Sequence, residues 1–373
     1  MKELKKTTTR ITTRDGKVYE ERPSNALDNR EKVFIFQGPV PDYIENVEAG
    51  ESKLNAKIFR DGLWQPCVES RCEESSLDSL KFVTYNVWFS EKNWENRANA
   101  LFNVIRETNP DLVCFQEVTP HFLSKLLKIS WIQQSYFVAD SSFASVIPYG
   151  VFMISKIPFV NIMLHDLPTN MGRRFLLAEF SLNNSSFYVG TVHLESMGNT
   201  QIRMMQLRAI QEMTMSYDNV IVMGDFNFSF GMPENALIEA SPDWIDTWER
   251  ANTEAARSEY TCKGFIIDRV IHKGGLLVPI SINRIGTLPS ASVADLSSTE
   301  LPLPAPLLSV AIEKTTLSEV EHEFGNVETQ GQSITMELSG KEINKQERWR
   351  DFADELYPSD HDGVCSSFIV KLP

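Results

Sequence analysis

Several polar residues stand within a turn of apolar runs that predict β-strands, where binding and catalytic sites are commonly built. They are Asn86, Glu117, His193, Asp225, Asn227, Asp360 and His361, in the segments TYN, QEV, HLES, GDFN and SDH. Another carboxylate, Asp268, lies inside the apolar run FIIDRVI, where an ionised group is costly unless it is paired. Carboxylate and amide oxygens suit a hard divalent ion, and histidines can donate hydrogen bonds to an anionic group. The set indicates a catalytic site.

Each of these residues has a simpler interpretation when it is taken alone. Asn86 is compatible with a strand-end turn, Glu117 with a solvated surface, and His193 with a hydrogen-bonded core histidine. The segment GDFN resembles a turn closed by an Asx hydrogen bond. Because six such segments follow one another along a single chain, independent coincidence explains them poorly, and the catalytic interpretation is favoured.

The elements that must position these residues alternate in type from Lys81 onward. Runs such as KFVTYNV, DLVCF and NVIVMG are rich in β-branched and aromatic residues and predict strands. Apolar residues at helical spacing predict a helix from Trp94 to Arg106, capped by Asn93 or Ser90, and a second helix from about 200 to 215. This pattern is typical of an α/β protein with a sandwich-like layout.

The composition divides the chain into three regions. Residues 1–32 are threonine-rich and charged and predict a flexible basic tail, and residues 33–80 predict a short extension of unknown role. Residues 81–373 predict the catalytic domain. Within it, the proline- and serine-rich and acidic stretch at about 276–350 predicts a loop insertion.

The overall composition excludes several classes of protein. With 373 residues, 42% hydrophobic and 23% charged, the chain can bury a large core and is not disordered throughout. The net charge of -14 argues against a protein that coats DNA without regard to sequence. No apolar run approaches the roughly 18 residues of a membrane span, and the opening segment lacks an apolar signal core. We therefore expect an intracellular monomer, nuclear and/or cytoplasmic, without a membrane span.

The five cysteines form an odd set without a CxxC pair. This pattern argues against a disulfide framework and against a zinc ribbon. Buried thiols are the simpler interpretation, and the sequence assigns them no chemistry.

The ordered segments TYN, QEV, HLES, GDFN, IDRV and SDH resemble those of the endonuclease/exonuclease/phosphatase superfamily, whose members are metal-dependent phosphodiesterases and phosphatases. The resemblance runs from Lys81 to Leu372. It implies a two-layered β-sandwich flanked by helices, which is the four-layer α/β/β/α arrangement of the DNase I-like fold. The site is expected at one edge of the packed sheets.

Within the superfamily, the chain most resembles the 5′-tyrosyl-DNA phosphodiesterases, which release a topoisomerase tyrosine from a DNA 5′ end. The segments GRRFLLAEF, HLES with the following Arg203, Gln206 and Leu207, and IDRV carry this likeness. Trp88 departs from it, because those enzymes typically have an acid at this position. The resemblance implies a DNA 5′ end as substrate and a role in DNA repair. A sphingomyelinase-like lipid or an RNA end stays an alternative substrate, and an inactive binding module is the alternative from a different class.

Chemistry and resemblance together suggest a role for each residue. Since Mg²⁺ retains several waters and takes one or two protein carboxylates, Glu117 suffices as its main ligand, with Mn²⁺ as a substitute ion. Asp360 would support the metal shell or its loop. Asn86 would hold the phosphate or a metal-bound water.

The remaining residues are expected to act on the water and the phosphate. Asp225 is the expected base, and Asn227, two residues on, would fix the phosphate or the base. His361 would donate to the phosphoryl oxygens, and by resemblance Asp268 would hold its ring and keep it protonated. His193 would supply a second donor.

Three arginines are candidates for contacts with substrate phosphates, because arginine gives bidentate hydrogen bonds to phosphate. They are Arg173, Arg174 and Arg203. A surface arginine paired with an acid is the alternative interpretation for each of them.

Overall fold

Two β-sheets packed face to face form the centre of the protein. The computed structural model describes residues 9–12, 18–21, 50–67, 78–182, 184–251, 260–289 and 356–371. Between the sheets, inward-facing residues of both form one continuous apolar core, in which Phe82 stacks on Phe187 with 6.4 Å between ring centroids. A separate antiparallel pair, β1 (Thr9–Thr12) and β2 (Val18–Glu21), precedes the sandwich.

The first sheet has the strand order β14-β15-β13-β12-β11-β10-β3. In chain order its strands are β3 (Glu51–Lys53), β10 (Asn161–Asp166), β11 (Arg174–Leu182), β12 (Ser185–His193), β13 (Val220–Asp225), β14 (Ile245–Asp246) and β15 (Asp268–Lys273). β12 and β13 are parallel, so their carboxyl ends lie at the same edge of the sheet.

The second sheet has the strand order β16-β17-β6-β7-β9-β8-β4-β5. In chain order its strands are β4 (Lys57–Arg60), β5 (Leu63–Pro66), β6 (Ser79–Asn86), β7 (Leu112–Val118), β8 (Phe137–Val138), β9 (Gly150–Ser155), β16 (Leu277–Ile285) and β17 (Gly363–Val370). β6 and β7 are also parallel, which brings the residues at their ends together.

Helices flank the two sheets. They are α1 (Trp94–Thr108), α2 (Pro120–Leu126), α3 (Ser130–Ser135), α4 (Thr200–Met213), α5 (Asn235–Glu239) and α6 (Thr247–Ala251). Apolar residues of α1, α2 and α3 pack on the second sheet, and those of α4 and α5 pack on the first. None of the helices in the described ranges is long and apolar enough to cross a membrane.

The layers confirm the predicted fold class of a two-layered β-sandwich flanked by helices. The two predicted helices, α1 and α4, are also confirmed. Ala98, Leu101 and Ile105 are buried on one face of α1, as their helical spacing predicts. Asn93 is the N-cap residue of α1, but its backbone is left-handed and its side chain makes no cap hydrogen bond.

The structure corrects the predicted limits of the insertion and of the N-terminal regions. The segment Leu277–Ile285 is a sheet strand that pairs with β17, so the predicted insertion cannot begin at 276. Strands β3, β4 and β5 join the two sheets before residue 81, and the pair β1–β2 lies in the predicted flexible tail. Residues 290–350 of the predicted insertion lie outside the described residues.

Candidate active site

Strand pairing collects the predicted polar residues at one edge of the sandwich. In the first sheet, His193 pairs with Asp225 across β12–β13, and Asp225 pairs with Asp268 across β13–β15. In the second sheet, Asn86 ends β6 and Glu117 lies near the end of the adjoining parallel strand β7. Residues far apart along the chain therefore face one another across the gap between the sheets.

Asn86 links the two sheets through its side-chain amide. Its Nδ2 donates to Oε1 of Glu117 over 3.2 Å and to Oδ2 of Asp225 over 3.0 Å. The backbone N–H of Trp88 donates to Asn86 Oδ1 over 3.0 Å, which fixes the orientation of the amide. Asn86 is fully buried, so one amide holds two carboxylates at a fixed separation away from bulk water.

Local backbone geometry points Glu117 into the gap. The register of β7 against β9 shifts between Phe115 and Val118, and Glu117 adopts a left-handed backbone with φ of 59°. The N–H of Phe89 donates to its Oε2 over 2.8 Å. Burial raises the pKa of Glu117 despite this hydrogen bond. A non-glycine residue in this conformation is uncommon and is often retained at functional sites.

Asp225 occupies a tight turn at the end of β13. The N–H of Asn227 donates to its Oδ1 over 2.9 Å, and Nδ2 of Asn227 donates to the carbonyl of Leu194 over 2.9 Å. The preceding Gly224 has φ of 151°, and a Cβ there would lie 2.0 Å from the carbonyl oxygen of Val192. Burial, above all, raises the pKa of Asp225 to about 7. A carboxylate with such a pKa can accept a proton near neutral pH.

His361 and Asp268 form a buried imidazole–carboxylate pair. Nδ1 of His361 lies 2.9 Å from Oδ2 of Asp268, and its Nε2 lies 3.9 Å from Oδ2 of Asp225. Burial alone would lower the pKa of His361, but the charge and hydrogen bond of Asp268 raise it well above 6.5. The His361 ring is therefore an imidazolium with a donor facing Asp225.

His193 is held in the opposite protonation state. Nη1 of Arg173 lies 2.8 Å from its Nδ1, and its Nε2 lies 3.4 Å from Oδ2 of Asp225. Burial, followed by the charges of Arg173 and His361, lowers the pKa of His193 well below 6.5. The ring is therefore neutral. Since arginine has no acceptor, Nδ1 accepts and the proton is on Nε2.

The two central carboxylates present a donor set that fits a divalent cation. In the part of the chain that the structure describes, Glu117 and Asp225 form ion pairs only with histidines, not with lysine or arginine. Two buried carboxylates held by one amide lack a full counter-charge, and hard divalent ions prefer such oxygen ligands. Asp225, Asp268 and His361 also place ligand atoms within 4.8 Å of one another.

Asp360 lies beside this group. Its Oδ1 is 4.0 Å from Nε2 of His361, and its Oδ2 is 3.9 Å from Nζ of the exposed Lys263. The charge of Asp360 contributes to raising the pKa of Glu117, after the larger effect of burial. The residue is close enough to the site for the predicted supporting role, which stays a prediction.

The three predicted substrate arginines occupy different environments. Arg173 contacts the site through His193, and Arg174 donates to the carbonyls of Ala144 and Ser145 and so holds that loop. The predicted contact of Arg203 with substrate is wrong. Its side chain is fully buried and its Nη2 lies 2.7 Å from Oε1 of Glu234, so its guanidinium cannot reach a bound molecule.

A cleft of about 380 Å³ opens beside Glu117. Aromatic and imidazole side chains contribute much of its lining, namely Trp88, Phe89, Trp94, His121 and Phe122. The guanidinium of Arg97 lies 4.6 Å from the ring centroid of Trp88 and donates to the carbonyls of residues 87, 88 and 90. Trp88, at the position where the resemblance leads one to expect an acid, thus packs on a buried arginine and forms a wall of the cleft.

Sequence reasoning missed two contributors to the site. The N–H of Phe89 binds Glu117, and a backbone donor leaves no signal in residue type. The thiol of Cys262 contacts the His361 ring. A cysteine without a partner at motif spacing could not be distinguished from an ordinary buried thiol.

A sequence model of the endonuclease/exonuclease/phosphatase family matches residues 83–361. The chain belongs to the endonuclease/exonuclease/phosphatase family. The matched range contains every residue of the site described above, from Asn86 to His361. The family resemblance inferred from the ordered motifs is confirmed.

Curated relatives narrow the resemblance within the endonuclease/exonuclease/phosphatase family. The chain is 25% identical over 239 residues to tyrosyl-DNA phosphodiesterase 2 of Xenopus tropicalis, covering 58% of this chain and 63% of the relative. It is 28% identical over 240 residues to tyrosyl-DNA phosphodiesterase 2 of Rattus norvegicus, covering 57% and 62%. The matches thus span somewhat less than two thirds of these relatives.

Solved structures of this family share the fold. Truncated TDP2 of Caenorhabditis elegans superposes with a TM-score of 0.53 at 15% identity, covering 78% of this chain and 98% of that one. TDP2 of Danio rerio, crystallised with a single-stranded DNA product, superposes with a TM-score of 0.52 at 19% identity, covering 78% and 98%. The shared fold confirms the predicted DNase I-like architecture.

Proposed function

We propose that this chain is a divalent-metal-dependent phosphodiesterase that releases tyrosyl adducts from DNA 5′ ends. The observation that carries the proposal is the fixed set around Asn86, in which one buried amide holds Glu117 and Asp225 beside two histidines of opposite protonation. Such a set offers oxygen ligands, a base and two hydrogen-bond donors to a single phosphoryl group.

Glu117 is the proposed main metal ligand, with Asn86 beside it and Asp360 in support. The oxygen-only donors and the missing counter-charge favour Mg²⁺, with Mn²⁺ as a substitute ion. When bound, the ion would neutralise charge on the phosphoryl group and its leaving oxygen. The N–H of Phe89 keeps the Glu117 carboxylate directed at this position.

Asp225 is the proposed general base. Its pKa, raised to about 7 by burial, allows it to accept a proton from an attacking water near neutral pH. Asn227 holds one oxygen of Asp225 through its N–H and leaves the other facing the site. Water attack requires this orientation, because a carboxylate that rotates freely would spend little time aligned.

The two histidines are the proposed donors to the phosphoryl oxygens. Cationic His361, held by Asp268, would stabilise the added negative charge, and neutral His193 would donate from Nε2–H. Arg173 orients His193 through Nδ1. The chain thus supplies one charged and one neutral donor, which lie on either side of Oδ2 of Asp225.

Two observations support a tyrosyl-DNA substrate over other phosphoesters. The curated relatives are named for this activity, and one structural neighbour holds a DNA product. The cleft beside Glu117 has aromatic walls, on which the ring of a tyrosyl leaving group could stack. The net charge of -14 is compatible with an enzyme that contacts only a DNA end. The proposed setting is DNA repair by an intracellular monomer, nuclear and/or cytoplasmic.

A substrate panel tests the proposal. A 5′-tyrosyl oligonucleotide, a choline phospholipid and an RNA end are offered to the protein with Mg²⁺ and with EDTA. Turnover of the tyrosyl oligonucleotide that EDTA abolishes is expected. Asp225→Asn should fold as the wild type does and lose kcat by about 10² to 10⁴, the usual range for a positioned base. Turnover of only the lipid or the RNA would reject tyrosyl-DNA as the substrate. Absence of turnover of all three compounds would reject the proposal that the chain is a phosphodiesterase.

A further inference from the structure

Three potential metal ligands of different chemistry meet on the His361 side of the site. The sulfur of Cys262, a carboxylate oxygen of Asp360 and a ring nitrogen of His361 lie within 4.8 Å of one another. Cys262 and His361 are buried, whereas the Asp360 side chain is 13% exposed. The group is therefore enclosed on one side and open to solvent near Asp360.

The backbone fixes this group before any ion arrives. Cys262 begins a tight turn in which Lys263 and Gly264 have positive φ and the N–H of Phe265 donates to the Cys262 carbonyl over 2.7 Å. The N–H of Asp362 donates to the carbonyl of Thr261 over 2.8 Å. This second bond ties the turn to the segment that carries Asp360 and His361, so the ligands are held by rigid backbone on both sides.

The ligand chemistry differs from that around Glu117. A thiolate and an imidazole are poor ligands for Mg²⁺ and good ligands for zinc and similar transition metals. Asp268 binds Nδ1 of His361 over 2.9 Å, so Nε2 is the ring nitrogen on the side of Asp360, 4.0 Å from its Oδ1. A carboxylate behind a metal-binding histidine is the usual arrangement in zinc sites, where it fixes the ring and raises its basicity.

We propose that Cys262, Asp360 and His361 form a second metal site, selective for Zn²⁺ over Mg²⁺. Zinc–ligand distances of about 2.0–2.3 Å place neighbouring ligand atoms about 3.3–3.8 Å apart in a tetrahedral site, so shifts of about 1 Å close the group around the ion. Binding releases the thiol proton and any proton on Nε2 to solvent. Lys263, 67% exposed, can withdraw from Asp360 into water. A solvent molecule completes the coordination.

Zinc at this site would inhibit the enzyme, a consequence that depends on the proposed function. An ion on Nε2 of His361 removes the donor that faces the phosphoryl group and takes Asp360 from its supporting role, while Glu117, the main ligand proposed for Mg²⁺, is left in place. Inhibition would therefore persist when Mg²⁺ is saturating. A metal that merely displaced Mg²⁺ would instead be outcompeted by it.

Cobalt binding tests the site without any assay of activity. The full chain, with Mg²⁺ in excess, is titrated with Co²⁺ and the absorption spectrum is recorded. A sulfur-to-cobalt charge-transfer band together with intense visible bands of a tetrahedral ion is expected, and Zn²⁺ should remove both. A wild-type spectrum without the charge-transfer band would overturn the proposal, whatever the substrate of the enzyme.

Two matched variants assign the sulfur. Cys262→Ser should lose the band and bind Zn²⁺ at least about tenfold more weakly by calorimetry. Cys365→Ser, which removes another buried thiol, should retain both properties. Unchanged zinc affinity in Cys262→Ser would overturn the assignment. If Cys262→Ser fails to fold by circular dichroism, Asp360→Asn replaces it in the calorimetry, with the same expected weakening.

The activity measurement comes last. Zinc should inhibit wild type and Cys365→Ser under saturating Mg²⁺, and Cys262→Ser should resist it. Zinc binding without inhibition would reject the proposed inhibition by zinc but not the zinc site itself. A wild type that shows neither the cobalt charge-transfer band nor measurable zinc affinity would reject the site itself.

Discussion

Arg173 donates from Nη1 to Nδ1 of His193 across 2.8 Å, and this bond selects the tautomer of the histidine. Since a guanidinium donates only, Nδ1 must accept, and Nε2–H faces the carboxylates of the site. His361 is the reverse case, because its Nδ1 meets the carboxylate of Asp268. The two histidine rings are chemically identical, but different residues contact their Nδ1 atoms. Arg173 makes His193 a neutral donor, and Asp268 makes His361 a cationic donor.

The first prediction concerns the tautomer of His193. Arg173→Met should raise the pKa of His193, because the positive charge that helps to lower it is removed. We expect kcat to fall by up to about 10², the loss that misplacement of a catalytic group can cause. Ring nitrogen shifts in NMR should report Nε2–H in the wild type and a mixture in the variant. Arg106→Met, on the outer helix α1, serves as the control and should keep the wild-type shifts. An unaltered tautomer in Arg173→Met would contradict the assignment.

The second prediction concerns the pH profile. Asp268 raises the pKa of His361, so the imidazolium persists as the pH rises. Asp268→Asn removes the charge, the pKa falls, and activity that needs the imidazolium should be lost at lower pH. The alkaline limb of kcat/KM, measured with saturating Mg²⁺, should therefore move to lower pH, with kcat reduced by about 10² to 10⁴. His361→Gln should have a low kcat/KM, and its pH profile should lack the alkaline limb. An alkaline limb at the wild-type position in Asp268→Asn would exclude His361 as its source.

The strand-end residues could be predicted from sequence because residue type and position carry the signal. Asn86, His193 and Asp225 each follow an apolar run, and parallel pairing of neighbouring strands brings their ends together. His361 and Asp268 are identified from sequence in the same way, and the family resemblance adds the expectation that Asp268 holds the His361 ring. These residues converge in the structure as the sequence indicates, whereas their catalytic roles stay proposals.

The features that sequence could not supply depend on partners distant along the chain. Arg203 belongs to a motif that suggests phosphate binding, but Glu234 pairs with it from a later loop and buries it. The strand Leu277–Ile285 was hidden because Pro279 and polar residues interrupt its apolar pattern just before a proline-rich stretch. The protonation states of His193 and His361 require knowing which residue stands behind each ring. Local patterns do not contain that information.

The third prediction separates stability from function at Glu117. Burial raises the pKa of this carboxyl, which means that the fold disfavours its ionised form. Without a metal, Glu117→Gln should raise the free energy of unfolding by on the order of 1 kcal/mol, because replacing a residue that an active site holds at a cost in stability commonly stabilises a protein. It should also abolish the Mg²⁺-dependent rise in Tm seen in the wild type. Urea melts and thermal scans with Mg²⁺ or EDTA measure both effects.

Glu239→Gln, on the surface, should change neither. A metal-dependent Tm rise retained in Glu117→Gln would exclude Glu117 as the main ligand.

The fourth prediction distinguishes a structural arginine from one at the site. Arg203 and Glu234 form a fully buried pair, and removing one partner leaves an unpaired charge. Arg203→Met should lower the free energy of unfolding by about 3 to 5 kcal/mol, and the double variant with Glu234→Gln should recover part of this loss. Urea unfolding measures the free-energy change of the single and of the double variant.

At temperatures where Arg203→Met is folded, its KM for the DNA end should be unchanged. A raised KM with unchanged stability would restore Arg203 as a substrate contact.

The fifth prediction concerns acid stability and lies away from the site. His272 on β15 is buried, with Nδ1 3.0 Å from Oγ1 of Thr247, and burial lowers its pKa from 6.5 to about 4. The unfolded chain therefore binds a proton at a pH where the fold does not, so the stability from neutral His272 is lost as pH falls from 6.5 toward 4. At 1.36 kcal/mol per pKa unit, the loss is about 3 kcal/mol.

His272→Gln cannot take up this proton. Urea unfolding at pH values from 7 to 4 should therefore show a shallower loss of stability in His272→Gln than in the wild type. His121→Gln removes an exposed histidine and should follow the wild-type curve. Because buried carboxylates contribute to both curves, the difference between wild type and variant is the quantity to compare. Parallel curves for His272→Gln and wild type would contradict the prediction. They would mean that the folded protein carries a proton on His272 at pH 5, with Thr247 Oγ1 accepting a hydrogen bond from Nδ1.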